Sequence, residues 1–231
     1  LEGVTEVAGL LGAPGGHRRR VEVDDDALAA QVAQRDLRAG VVARAVVDRD
    51  ELEGVVVVEL QCEGLERCAD ELARALHRDF TQDIRLVSRH PKQVNGTDEL
   101  VAADLMDPAS TERAVAGSAI AYLTVGLPMD SALWEEKFPP MMRNVIDACV
   151  EHGTKLVFFA NPYMYPMTSE PQTEYTPFRP AGSKGRTRAQ TATMLLDAMN
   201  AGTVDAVICR APEFYGPDQT QSFTNALVFD R

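Results

Sequence analysis

The first sixty residues contain no Phe, Tyr, Trp, Met, Ile, Lys, Ser or Asn. A stretch built mostly from Val, Ala, Leu, Arg, Asp, Glu and Gly has little bulk from which to make a core of its own. The whole chain of 231 residues holds one tryptophan, four histidines and four cysteines. Cys62, Cys68, Cys149 and Cys209 do not fall at metal-ligand spacing, and Cys149 and Cys209 stand in apolar context, as small core residues do. No apolar run approaches the ~20 residues that a membrane span needs. The opening LEGVTEVAGL lacks the basic start and apolar centre of a secretory leader. Cations are also scarce. The 23 Lys and Arg against 35 Asp and Glu give a formal charge of -12 at pH 7, which argues against broad binding to nucleic acid or to an anionic membrane surface. The expectation is a cytoplasmic protein with reduced thiols.

What is present changes character along the chain. Residues 1–52 read as a poorly specified N-terminal segment, a candidate non-native extension. Within it, DALAAQVAQRDLRAG (26–40) has a helical pattern closed by Gly40, and VVARAVV (41–47) has a strand pattern. From residue 53 onward, strand-like and helix-like segments alternate. VVVVEL (55–60), DIRLVS (83–88), ELVAADL (99–105), AIAYLTVGL (119–127), KLVFFA (155–160) and VDAVICRA (204–211) are the strands. LERCADELARAL (65–76), DPASTERAVAG (107–117) and residues 131–153 are helices between them. Ser110 and Thr111 are cap candidates for the second of these, and Pro139-Pro140 predicts an interruption or kink in the third. Near-continuous apolar strands separated by helices predict an α/β fold, a doubly wound parallel sheet with helices on both faces. The 131–153 helix either covers the sheet or pairs with a copy of itself, which makes a homodimer one expectation.

In such a sheet, ligands sit beyond the carboxyl ends of the strands. A dinucleotide site wants a glycine-rich turn after the first strand, because glycine lets backbone N–H groups approach a pyrophosphate. Only Gly64 stands there. GAPGG (12–16) is richer in glycine but precedes HRRRVEVDDD rather than a clear helix, and reads more simply as a turn. Ser88-Arg89 ends the second strand, where an arginine suits a ribose 2'-phosphate; a surface arginine is the alternative. Asp104 and Leu105 end the third, and an aspartate there can accept from an adenine amino group. Thr124, Val125 and Gly126 make a small-residue turn after the fourth. Asn161, Tyr163 and Tyr165 follow the fifth; the tyrosines either donate protons and stack, or pack with wet hydroxyls. Ala211 and Pro212 follow the last strand as candidate cofactor contacts.

The stretch KGRTRAQTATMLLDAM (184–199) is an amphipathic helix pattern with Lys184, Arg186 and Arg188 at its start. A helix N-terminus is positive, so cations there are unfavourable by a few tenths of a kcal/mol each. Either they are solvated surface charge, or they face an anion or a catalytic centre.

The motifs IRLVSRHP (84–91), VAADLMDPAS (101–110), MRNVIDACVEHGTKLVFFANPYMYP (142–166), TEYTPFRP (173–180) and RAPEFYGP (210–217), in this order and spacing, resemble the extended short-chain dehydrogenase/reductases of the NAD-dependent epimerase/dehydratase family. The resemblance covers about residues 55–231. It implies a Rossmann-like domain over 53–231 whose smaller substrate domain is largely missing. That family has a serine or threonine after the fifth strand and a Tyr-x-x-x-Lys at the start of the next helix. Here those positions carry Asn161, Lys184 and Arg188. The resemblance therefore implies an atypical NAD(P)-dependent oxidoreductase, epimerase or dehydratase acting on a sugar nucleotide or small carbonyl compound. NADP is the favoured cofactor and NAD the alternative. Lys184 and Arg188, with Tyr163 or Tyr165, would be the catalytic groups, and Lys184 would also contact the cofactor. The competing expectation is a non-catalytic dinucleotide-binding sensor or interaction module.

Overall fold

The computed structural model describes residues 54–58 and 66–211. Within them, β1 (Val55–Val58), α1 (Glu66–Asp79), β2 (Ile84–Ser88), β3 (Glu99–Ala102), α2 (Pro108–Val115), β4 (Ile120–Leu123), α3 (Ser131–His152), β5 (Lys155–Ala160), α4 (Gly182–Asn200) and β6 (Ala206–Arg210) follow one another. The six strands form one parallel sheet in the order β3-β2-β1-β4-β5-β6. The expected α/β architecture is present. The predicted helix at 26–40, the predicted strand at 41–47, GAPGG (12–16), Gly64 and Pro212 lie outside the described residues.

Side chains alternate across the sheet with period two. On β4, Ile120 and Tyr122 face one core while Ala121 and Leu123 face the other. On β5, Leu156, Phe158 and Ala160 oppose Val157 and Phe159 in the same way. One face is covered by α1 through Ala69, Leu72, Ala73 and Leu76; the other is covered by α2, α3 and α4. Burial on both faces is what the continuous apolar runs required.

Two local expectations are corrected. Asp107, not Ser110 or Thr111, caps α2: its carboxylate accepts from the Ala109 N–H at 3.1 Å. Pro108 fixes the backbone just inside the cap, and the Thr111 hydroxyl donates to the Asp107 carbonyl at 3.0 Å instead. Pro139 and Pro140 do not end α3, which runs on as one element of 22 residues. The two missing donors fall opposite Glu135 and Glu136, which are exposed, so water can serve the freed carbonyls. Meanwhile Trp134, Phe138, Met141, Met142 and Val145 are buried and hold the helix in place. α3 closes at Gly153, whose φ of 64° is the left-handed cap that glycine favours.

Candidate active site at the carboxyl edge of the sheet

All six strands point the same way, so their carboxyl ends share one edge. Chain connectivity reverses direction between β1 and β4, which are paired at the middle of the sheet. That is where an open α/β sheet offers a crevice. Thr124 and Gly126 follow β4 at this point, both buried, so little side-chain bulk stands there. Arg89 follows β2 and is exposed. Asp104 follows β3 and is exposed; its Oδ1 accepts from the Met106 N–H at 2.9 Å, which leaves its second oxygen uncommitted. Leu105 is different. Its side chain is 1% exposed in the core, and its carbonyl accepts from the Asn144 amide at 2.7 Å, so only its backbone N–H faces any choice. Ala211 follows β6 and is bonded back to the Ala160 carbonyl at 3.0 Å.

Asn161 follows β5 directly. Its amide oxygen accepts from the Tyr163 N–H at 3.2 Å, a turn that folds the chain after β5. That turn separates the two tyrosines. Tyr163 is 38% exposed, whereas Tyr165 is 6% exposed. The Tyr165 hydroxyl is buried without a hydrogen-bond partner, and its ring packs edge-on against Phe178 at 5.6 Å. Burial raises its pKa, the nearby Arg210 opposing the rise and Glu174 adding to it. Arg210 lies over both rings, 5.6 Å from Tyr165 and 5.7 Å from Phe178.

The cations of α4 do not meet an anion among the described residues. The Lys184 ammonium donates to the Met129 carbonyl at 2.7 Å and lies 5.7 Å from the Trp134 ring centre. Arg188, one turn on, is 5% exposed. Its guanidinium sits 4.0 Å from the Phe138 ring centre and 4.9 Å from Trp134. Tyr163 stacks on Trp134 at 6.2 Å with 13° between the planes. Arg186 alone of the three is exposed. Desolvation pushes the Arg188 pKa down to about 10, with the Tyr163 hydroxyl opposing it. At neutral pH it is still a cation.

Gly185 makes this arrangement possible. A Cβ there would stand 2.6 Å from the Tyr163 carbonyl and 2.9 Å from the Pro180 ring, so only glycine lets the first turn of α4 lie against the Tyr163 turn. Trp134, Phe138 and Gly185 were not singled out from the sequence. A usable signal existed: Trp134 and Phe138 are four apart on one helix, as Lys184 and Arg188 are on another, and such pairs share a face.

The remaining titratable candidates are inert. Burial pushes the Cys149 thiol up to about 12 and the Cys209 thiol to about 11, so neither is a nucleophile at neutral pH. No group of His, Cys, Asp and Glu among the described residues could hold a metal ion, and no helix among them is long and apolar enough to cross a membrane. Two concavities lie away from this edge: one at the amino-terminal ends of β4 and β5 beside Lys155 and Asp205, the other between α3 and α4 beside Arg143 and Asp197. The segments that follow β1 and β6 at the carboxyl edge are outside the described residues.

The profile of the NAD-dependent epimerase/dehydratase family matches residues 39–230, well over half of the chain. The chain belongs to this family. No curated protein matches it. Solved structures of similar fold include three dinucleotide complexes. A uronate dehydrogenase from Agrobacterium tumefaciens, a mutant complexed with NAD, is 18% identical with a TM-score of 0.55, over 66% of this chain and 58% of that one. A short-chain dehydrogenase/reductase superfamily protein from the same organism, with bound NAD, is 21% identical with a TM-score of 0.54, over 67% and 48%. A UDP-glucose 4-epimerase from Brucella ovis, in complex with NAD, is 18% identical with a TM-score of 0.54, over 68% and 51%. The chain thus spans roughly half the length of these structures. At such identity the likeness is one of fold, and it agrees with the strand order of the epimerase/dehydratase domain seen here.

Proposed function

We propose that this chain is the dinucleotide-binding part of an NAD(P)-dependent oxidoreductase, epimerase or dehydratase whose substrate is a sugar nucleotide or small carbonyl compound. The observation that carries the reading is the reversal of strand order at β1 and β4, bordered by the small turn Thr124–Gly126. The adenosine side suits the group. Exposed Arg89 can face a 2'-phosphate, which favours NADP over NAD, and the free oxygen of Asp104 can accept from an adenine amino group.

The nicotinamide side departs from the family. A bound nicotinamide supplies or accepts hydride, and the protein must move the matching proton. Lys184 is poorly disposed for this, because its ammonium is held by the Met129 carbonyl. Tyr163 Oη is the better proton carrier: the residue is exposed, and it stands beside the Arg188 charge, which stabilises negative charge developing on the phenolic oxygen. Tyr165 is buried and raised by burial, which suits packing. Arg188 orients and neutralises; Asn161 shapes the turn that presents Tyr163.

The tethering of Lys184 equally favours a second reading, a dinucleotide-binding module without turnover. Titration with NADPH and NADH by nicotinamide fluorescence, followed by addition of carbonyl compounds with the nicotinamide absorbance monitored, separates the two. Binding with turnover supports the enzyme, binding without turnover supports the module, and no binding of either nucleotide overturns both.

A further inference from the structure

The loop between β4 and α3, residues 124–130, is fastened at its far end by side chains from two different helices. Its first part, Thr124–Gly126, is buried, and its last part, Pro128–Asp130, is exposed. An exposed loop end moves freely unless its backbone polar groups are tied down. Three ties are present. The Asp130 carboxylate accepts from the Leu133 N–H at 3.0 Å, which is an ordinary helix cap. The Pro128 carbonyl accepts from the Trp134 indole Nε1–H at 2.7 Å, and from the Asp130 N–H at 2.6 Å. The Met129 carbonyl accepts from the Lys184 ammonium at 2.7 Å, although Lys184 stands 55 residues further along the chain. Trp134 is the common neighbour of these groups. Its ring lies 5.7 Å from Lys184 Nζ, and Tyr163 stacks on it at 6.2 Å. Trp134 is only 3% exposed, so its N–H needs an acceptor within the protein, and the loop supplies one. The loop after β4 and the turn after β5 are thus joined through one side chain.

We propose that Trp134 and Lys184 are positioning residues for the nicotinamide half of the dinucleotide: the indole N–H and the ammonium latch the 124–130 loop in register with the Tyr163 turn. The inference rests on the reading of this edge as a dinucleotide seat, and neither side chain touches the dinucleotide in this role. Each acts through a loop carbonyl. The strand order gives the latch its direction. Arg89 and Asp104 follow β2 and β3, on one side of β1; the loop and Tyr163 follow β4 and β5, on the other side. The adenosine half therefore lies away from the latch, and the nicotinamide half lies beside it. An ammonium on a carbonyl is a charge-assisted hydrogen bond, stronger than a neutral one, so Lys184 is a firm fastening even where it is open to water. If the ties served only to anchor the start of α3, their loss would act on both halves of the dinucleotide alike.

The test uses isothermal titration calorimetry to compare NADPH with 2',5'-ADP, which carries the adenosine and its 2'-phosphate but no nicotinamide. Where the parent prefers NADH, NADH and 5'-AMP take their places. Lys184→Met should weaken the dinucleotide about fivefold, the worth of one net hydrogen bond, and leave the adenosine fragment within about twofold. Lys184→Arg keeps a cationic donor on that helix turn and should recover most of the dinucleotide affinity. Trp134→Phe keeps a ring for Tyr163 to stack on, loses the N–H, and should show the same one-sided loss. Arg186→Met, exposed on the same helix, should bind both ligands as the parent does. Circular dichroism shows whether each variant is folded; should Trp134→Phe not be, the two Lys184 variants decide. Equal loss of dinucleotide and fragment, unchanged dinucleotide binding in Lys184→Met, or Lys184→Arg behaving as Lys184→Met would each overturn the proposal. A parent that binds neither ligand sinks the proposed function and the latch with it. A parent that binds both, without a one-sided loss in the variants, sinks the latch alone.

Discussion

Replacing Arg188 by methionine should leave the stability of the ligand-free protein unchanged to within about 1 kcal/mol, or raise it slightly. Desolvation pushes the Arg188 pKa down to about 10, which at about 1.36 kcal/mol per pH unit is a penalty on the order of 3 kcal/mol for the buried charge. The Phe138 and Trp134 rings, 4.0 and 4.9 Å from the guanidinium, offset only part of that penalty, since contacts of this kind return about 0.5–2 kcal/mol each. Methionine keeps most of the volume, removes two orphaned donors and gains sulfur–ring contacts of about 0.3–1.5 kcal/mol. The assay is urea unfolding followed by Trp134 emission. The pH dependence has a definite sign. Above pH 10 and below the ordinary arginine range the unfolded chain holds the Arg188 proton and the folded chain does not, so stability rises with pH in that window. The burial cost is fully present below pH 10. The parent should therefore gain on Arg188→Met as pH climbs through 10. A loss of more than ~2 kcal/mol at neutral pH would refute the reasoning, because it would mean that Arg188 is a structural pillar with its donors satisfied.

Arg89→Ala should weaken NADPH by about tenfold while leaving NADH nearly unchanged, as nicotinamide fluorescence titration would show; equal effects on both would remove the 2'-phosphate role. Tyr163→Phe should lower turnover by about 10²–10⁴-fold with dinucleotide affinity retained, while Tyr165→Phe should leave turnover intact and be neutral or slightly stabilising, since it deletes an unpartnered buried hydroxyl. The reverse order in steady-state rates would reassign the proton carrier. Gly185→Ala should destabilise by about 1–3 kcal/mol in urea unfolding, because the added carbon meets the Tyr163 carbonyl and Pro180 and must push α4 off the turn. Unchanged stability would show that the two segments slide apart freely.

The fold was legible because it rests on local pattern. Apolar strands separated by helical periods leave few options, and all six strand positions from Val55 to Arg210 were readable that way. Local chemistry was read less surely where two residues compete for one job. Asp107 outdid Ser110 at the α2 cap by standing immediately before Pro108, and buried contacts along α3 outweighed Pro139 and Pro140. At the site, the positions of Arg89, Asp104 and Thr124 followed from their place after strands. The roles of Lys184 and Arg188 did not, because their partners lie some fifty residues away on the preceding loop and helix: Met129, Trp134 and Phe138.

The amino-acid sequence by itself determined the α/β alternation, the parallel sheet and the set of residues at its carboxyl edge, since these depend on periodicity and chain order. Only the tertiary structure decided that Tyr163 is open and Tyr165 closed, that Lys184 is tethered, and that Arg188 is a buried cation with unused donors. Those outcomes depend on which side chains distant segments bring together, and on how much water that packing leaves around each charge.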